Sequence, residues 1–173
     1  MNFSIQPVLE NDKVVLYPLG ESDFETLYAV ASDPEIWEQH PNRDRWRREV
    51  FSNFFEGALA SGGAYRIVDK SSGEVIGSTR IYDYDAANDT ILIGYTFFAK
   101  AYWGQGYNRS VKNLMLDYLF KHVSRVVFHI GAVNKRSQRS IESLGARKIG
   151  EELVTYYGES PKLNYVYEVR RDW

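Results

Sequence analysis

The amino-acid sequence predicts one mixed α/β domain of the α+β kind, with about seven mostly antiparallel strands and four helices. Three observations carry this expectation. Seven short stretches rich in β-branched and aromatic residues read as strands. Four stretches place apolar residues at helical spacing between capping and stop signals. Short polar turns join the strands between Ala64 and Phe98, which makes those neighbours antiparallel. The 173 residues suit a single compact domain with a sizeable core, and no repeat or low-complexity stretch divides them.

In chain order, Val14–Tyr17 reads as a strand stopped by Pro18. Ser22 and Glu25 are spaced as a capping box and open a helix toward Ala31. Asp33-Pro34 ends or restarts it. A second helix is expected from about Asp44 to Ala60, burying Val50, Phe51, Phe54, Phe55, Ala58 and Leu59. Ser61-Gly62-Gly63 terminates it. Strands follow at Ala64–Asp69, Val75–Tyr84 and Thr90–Phe98. A third helix spans about Tyr107–His122, and Arg125–Ala132 is a strand. Asn134 can cap a fourth helix that ends at Leu144-Gly145. The last two strands fall near Glu152–Tyr157 and Asn164–Arg170.

Composition excludes several functional classes. A formal net charge of −2 speaks against a nucleic-acid binder, which is usually basic. No apolar run approaches the ~20 residues needed to span a bilayer, and the N-terminal residues do not read as a signal peptide. With no cysteine there is no disulfide, thiolate nucleophile or zinc–cysteine site. His40, His122 and His129 are scattered without metal-ligand spacing and read as surface or packing residues, so no metal is expected. The expected location is cytoplasmic. Aromatics make up 15% of the chain, which fits an aromatic core and a lined cleft equally well.

The most informative stretch is Trp103-Gly104-Gln105-Gly106-Tyr107-Asn108, between the Thr90–Phe98 strand and the third helix. Two glycines one residue apart let the backbone turn tightly and gather bare N–H groups. The helix start adds unpaired N–H groups and a partial positive charge. Together they can cradle an anion, most often phosphate. A plain strand-to-helix turn would use the same glycines.

Three local patterns make the chain resemble the GNAT superfamily of acyl-CoA N-acyltransferases. Ala101-Tyr102-Trp103-Gly104-Gln105-Gly106 occupies the family's Q/R-x-x-G-x-G/A loop. Ile93-Gly94-Tyr95 followed by Tyr102–Tyr107 is similar to the Rim-type branch that acetylates ribosomal-protein N-termini. Asn134-x-x-Ser137 with Leu144-Gly145 is similar to a helix of that branch. The order of elements agrees with the family over nearly the whole chain.

The resemblance implies a sheet splayed between the fourth and fifth expected strands, with acetyl-CoA as cosubstrate. It places the coenzyme pyrophosphate on the backbone of Trp103, Gly104, Gln105, Gly106, Tyr107 and Asn108. The pantetheine arm would pair with the free edge at Tyr95, Thr96 and Phe97 like an added strand. Asn134 would bond that arm, and Arg109 could add a phosphate contact. Arg136 and Arg139 could also reach phosphates, although a solvated helix charge explains each of those two alone. The implied acceptor is a small-molecule amine or a protein N-terminus, and the protein would be a monomer or homodimer.

Four departures stand out. Relatives often carry an acidic residue before Ile-Gly-Tyr, where this chain has Leu92, and a Tyr acid where it has Ile141. The first loop position is Ala101, and Asn108 is expected to cap the third helix. Amide formation still needs a neutral amine and a proton acceptor, for which Tyr156, Asp83 and Glu38 are weak candidates. The Tyr95 or Thr96 N–H could hold the oxyanion, and Ser137 could protonate the leaving thiolate. Trp37 and Glu38 suit a cationic amine. The alternative is a non-catalytic acyl-CoA-binding or regulatory protein on the same fold.

Overall fold

The computed structural model describes residues 1–156 and 158–173. It shows one α/β domain: an eight-stranded sheet between two helical layers. The strands are β1 (Leu9–Glu10), β2 (Val14–Pro18), β3 (Ala64–Asp69), β4 (Val75–Asp85), β5 (Thr90–Phe98), β6 (Arg125–Gly131), β7 (Arg147–Val154) and β8 (Lys162–Arg170). The helices are α1 (Phe24–Ala31), α2 (Arg48–Ser61), α3 (Tyr107–Leu119) and α4 (Lys135–Glu142). Strand order is β1-β2-β3-β4-β5-β6-β8-β7. All neighbours are antiparallel except β5 and β6, which run parallel.

The splay is visible in the register. Thr90, Ile91 and Leu92 pair with Arg125, Val126 and Val127, and the ladder then stops. Beyond it the two strands carry unpaired facing edges.

One apolar cluster joins the sheet residues Leu16, Ile67, Ile91, Ile93 and Phe128 to Val111, Met115 and Leu119 of α3. A second, on the opposite face, packs Phe51, Phe54 and Phe55 of α2 on Leu27, Trp37 and Phe97. Val50 and Leu59, expected in the buried face of α2, are only half-buried at its borders. No helix is long and apolar enough to cross a membrane among the described residues.

Several boundaries differ from expectation for local reasons. The Ser22–Glu25 capping box does not form. Instead Gly20 N–H donates to Asp23 Oδ2 (2.8 Å) over a 3₁₀ turn, and α1 starts at Phe24. Arg66 Nη1 holds that carboxylate from β3 at 3.3 Å, which favours Asp23 as the capping acid. Asp33 does restart the chain: it accepts Glu35 N–H at 3.0 Å and opens the 3₁₀ turn Pro34–Trp37. The α2 helix starts at Arg48 rather than Asp44, and α3 ends at Leu119 rather than His122. Gly106, with φ 83°, is the N-cap of α3, so Asn108 lies inside the helix. Strand β7 begins at Arg147, earlier than expected. As an edge strand exposed on both faces it lacks alternating hydrophobicity. Tyr157, the expected end of that strand, lies outside the described residues. The two-residue β1 carries too little pattern to be read.

Candidate active site

A cavity of about 360 Å³ fills the gap between the diverging ends of β5 and β6. It crosses the sheet, because alternating side chains reach its two faces. Thr96 points toward α3, where its Oγ1 accepts from Lys112 Nζ at 2.8 Å. Tyr95 points the other way, its ring among Phe54, Tyr82 and Tyr156.

On the α3 side the wall is the glycine loop. Trp103, Gly104, Gly106, Tyr107, Asn108 and Arg109 all line the cavity. Gly104 has φ 70°, and an added Cβ there would meet nothing within 4 Å. Its glycine therefore serves backbone conformation and leaves an open approach. Trp103 Nε1 donates to Phe98 O (3.0 Å) and Tyr107 Oη to Asp69 Oδ1 (2.8 Å), fixing both ends of the turn to the sheet.

Asn134 lines the cavity, and its Oδ1 also accepts Ser137 N–H at 3.2 Å, so it is the N-cap of α4 as well. Ser137 faces the cavity one turn on. Arg136 lines it too, its guanidinium 4.0 Å from the Trp103 ring centre and its Nη2 donating to Ile36 O (3.2 Å). Arg109 also donates to Ser143 O (2.7 Å), tying α3 to α4.

The β5 edge carries a bulge. Arg80 pairs with Gly94 and Ser78 with Phe97, so Tyr95 and Thr96 together oppose Thr79. Tyr95 has φ 56°, a left-handed conformation costing a non-glycine residue about 1–3 kcal/mol. The surrounding packing holds it there: the Arg80 guanidinium lies 3.6 Å from the Tyr95 ring centre. Gly94 allows the close approach beside it, since a Cβ would fall 3.0 Å from Tyr82 Oη.

On the α2 side the wall is made of side chains. Trp37 is buried, with Nε1 bonded to Ala31 O (2.8 Å), and Tyr156 Oη donates to Asn164 Oδ1 (2.8 Å). Burial pushes the Tyr156 hydroxyl up to about 12, so it is protonated at neutral pH. Behind these rings Arg45, 1% exposed, forms a bidentate pair with Glu159 at 3.1 and 3.0 Å.

Some expected site residues stand elsewhere. Glu38 and Arg139 are exposed and do not line the cavity, since their positions on the loop and on α4 face outward. Asp83 is likewise exposed and outside the lining. The Gln105 side chain turns back to donate to Ala101 O (2.7 Å). Leu92 is buried outside the cavity lining and Ile141 is buried against the cavity; as hydrocarbon side chains neither supplies acid or base chemistry.

Other lining residues were not anticipated. Lys112 is buried, donates to Thr96 Oγ1 and Asn108 Oδ1 (3.1 Å), and has its ammonium pushed down to about 7 by desolvation. Its helical spacing matched a core position, which hid it. His40, Tyr82 and His129 also line the cavity. Burial, with Arg45 adding repulsion, holds His40 well below its usual range. No cluster of His, Cys, Asp or Glu suited to a metal ion occurs among the described residues.

A family model described as the acetyltransferase (GNAT) domain matches residues 13–147. The chain belongs to the GNAT acetyltransferase family. Acyl transfer from acetyl-CoA is the chemistry of that family, so this GNAT protein has the fold of an acyltransferase. It is similar to YkkB of Bacillus subtilis, an uncharacterised protein, with 27% identity over 79% of this chain and 83% of that one. Among solved structures it resembles a GCN5-related N-acetyltransferase from Brucella melitensis (TM-score 0.76, 22% identity, covering 98% of this chain and 83% of that one). It also resembles the spermidine N-acetyltransferase of Vibrio cholerae in complex with CoA and spermine (TM-score 0.68, 14% identity, covering 94% and 98%).

Proposed function

We propose that this GNAT protein is an acetyl-CoA-dependent N-acetyltransferase that moves the acetyl group directly to a primary amine. The observation that carries this is the cavity itself: an unpaired, bulged β5 edge running to a glycine loop and a helix N-terminus. The edge suits the pantetheine arm as an added strand, and the loop with the start of α3 suits the pyrophosphate.

In this reading Trp103–Asn108 cradle the pyrophosphate and Arg109 and Arg136 add charge. The edge Tyr95–Phe97 and Asn134 hold the arm. The Tyr95 N–H faces the developing oxyanion, and Ser137 returns a proton to the thiolate. Trp37 and Tyr156 bound the acceptor end. No Asp or Glu appears among the described lining residues, so a polycationic acceptor finds no counter-charge there. A monoamine, such as a protein N-terminus, fits better. Asn134, Ser137 and Leu144-Gly145 support the Rim-type branch.

The apolar Leu92 and Ile141 favour one other reading, an acyl-CoA binder without activity. Thiol release from acetyl-CoA across a panel of monoamines, polyamines and N-terminal peptides separates the two. Amine-dependent release with an acetylated product by mass spectrometry is expected. Tight coenzyme binding with no release on any amine would establish the binder instead.

A further inference from the structure

None of the residues expected from sequence to take the amine's proton lines the cavity as an unprotonated base. Glu38 and Asp83 lie outside the cavity lining, and Tyr156 is held protonated. His40 Nδ1 already accepts Asn42 N–H (3.1 Å), and its Nε2 lies 3.3 Å from Arg45 Nη1.

His129 is placed differently. It sits on β6 where pairing with β5 has ended, across the gap from the bulge. Its neighbour Phe128 is buried in the cluster that packs on α3, so strand alternation turns the His129 ring to the opposite face. The Tyr95 ring occupies that same face. His129 Nε2 lies 3.2 Å from Glu152 Oε2, a carboxylate on β7 that is 60% exposed.

We propose that His129, backed by Glu152, is the base that deprotonates the acceptor amine. This rests on the transferase reading above. Glu152 favours the tautomer with its hydrogen on Nε2, leaving the Nδ1 lone pair for the substrate. The amine nitrogen attacks the thioester carbonyl carbon, forming the C–N bond and an oxyanion. The amine proton passes to His129. The oxyanion collapses, the C–S bond breaks, and the thiolate takes the Ser137 hydroxyl proton, which solvent then replaces, to leave as CoA thiol. His129 then gives its proton to solvent at Glu152, on the open rim.

The titratable surroundings agree with this role. Burial lowers the His129 imidazole below 6.5, and Glu152 on β7 and Asp83 on β4 oppose that shift. The other titratable lining groups on this face are His40, Tyr82, Tyr95, Tyr156 and Arg136, with the Arg45 and Arg80 guanidiniums against the Tyr156 and Tyr95 rings, while Lys112 belongs to the α3 face. Burial thus favours the neutral ring, the form able to accept a proton.

The test is the pH profile of transfer to an amine found by the panel. Wild type is expected to lose rate on acidification, through an apparent pKa below the ordinary histidine range. His129→Asn should lower kcat by about 10²-fold or more and erase that limb, with added imidazole restoring part of the rate. Glu152→Gln should move the limb to lower pH, because it removes a charge that favours protonation. Coenzyme affinity by calorimetry checks that each variant is folded. If His129→Asn is not folded, the Glu152→Gln shift decides alone. His129→Asn within about twofold of wild type with the limb intact, or an unmoved limb in Glu152→Gln, would overturn the assignment while leaving the transferase standing. Wild type inactive on every amine would overturn both.

Discussion

On the α3 side of the sheet the cavity is bounded by two glycines at positive φ, a helix start and a bulged edge, with the buried Lys112 side chain beside them. On the α2 side it is walled by side chains from five separate segments, around Trp37, Tyr82, Tyr95, His129 and Tyr156. The first wall suits a ligand whose shape never changes, because backbone N–H groups survive side-chain substitution. The second can be re-specified one residue at a time. The contrast suggests how a shared donor and a variable acceptor coexist on one fold.

Three measurements would break or sharpen that contrast. The largest effect is expected at Ser137, where the two walls meet. Ser137→Ala should lower kcat by about 10²-fold, and raise KM less, because thiolate charge develops only toward the transition state. Pre-steady-state rates within about twofold of wild type would make Ser137 only a first-turn hydroxyl of α4.

Next comes the loop. Gly106→Val puts a β-branched residue at φ 83° and crowds the cradle. Coenzyme affinity should fall at least about tenfold, near 1.4 kcal/mol. Calorimetry giving wild-type affinity in the folded variant would remove the backbone wall from coenzyme binding.

The smallest effect concerns Lys112. Its ammonium binds protons less well when folded (about 7) than at its ordinary 10.5. Between those values the unfolded chain holds the extra proton, so stability rises with pH. The midpoint of thermal unfolding of the coenzyme-free protein should climb from pH 7 to pH 9, and Lys112→Met should flatten the climb. Each 1 kcal/mol moves the midpoint by about 2–4 °C in a chain of this size. Parallel curves for the two proteins would show that Lys112 does not titrate in this window.

The same contrast explains what the sequence discloses. The glycine loop, the β5 strand and the Asn134 cap are contiguous, and local rules read them. The α2-side wall is not contiguous. His129 reads as a stray histidine until β6 is seen to leave β5 and Glu152 is brought beside it from β7. Lys112 has the spacing of a core residue, and only its place beside Thr96 reveals a buried ammonium. Glu38 and Arg139 stand outside the cavity lining for the converse reason: their residue types suit the chemistry, but which way a loop or helix turns them is a tertiary fact. The Gly20–Asp23 cap shows the same competition locally, one acid winning over another because Arg66 arrives from β3.

The Arg45–Glu159 clasp joins positions 114 apart in sequence. Contacts so distant carry a loop-closure cost that local elements do not. The glycine loop and α4 are both complete by residue 142. A chain emerging during synthesis can therefore shape its backbone wall while Glu159 is still unmade. The aromatic chamber, and any choice of acceptor, must wait for the final hairpin to be delivered.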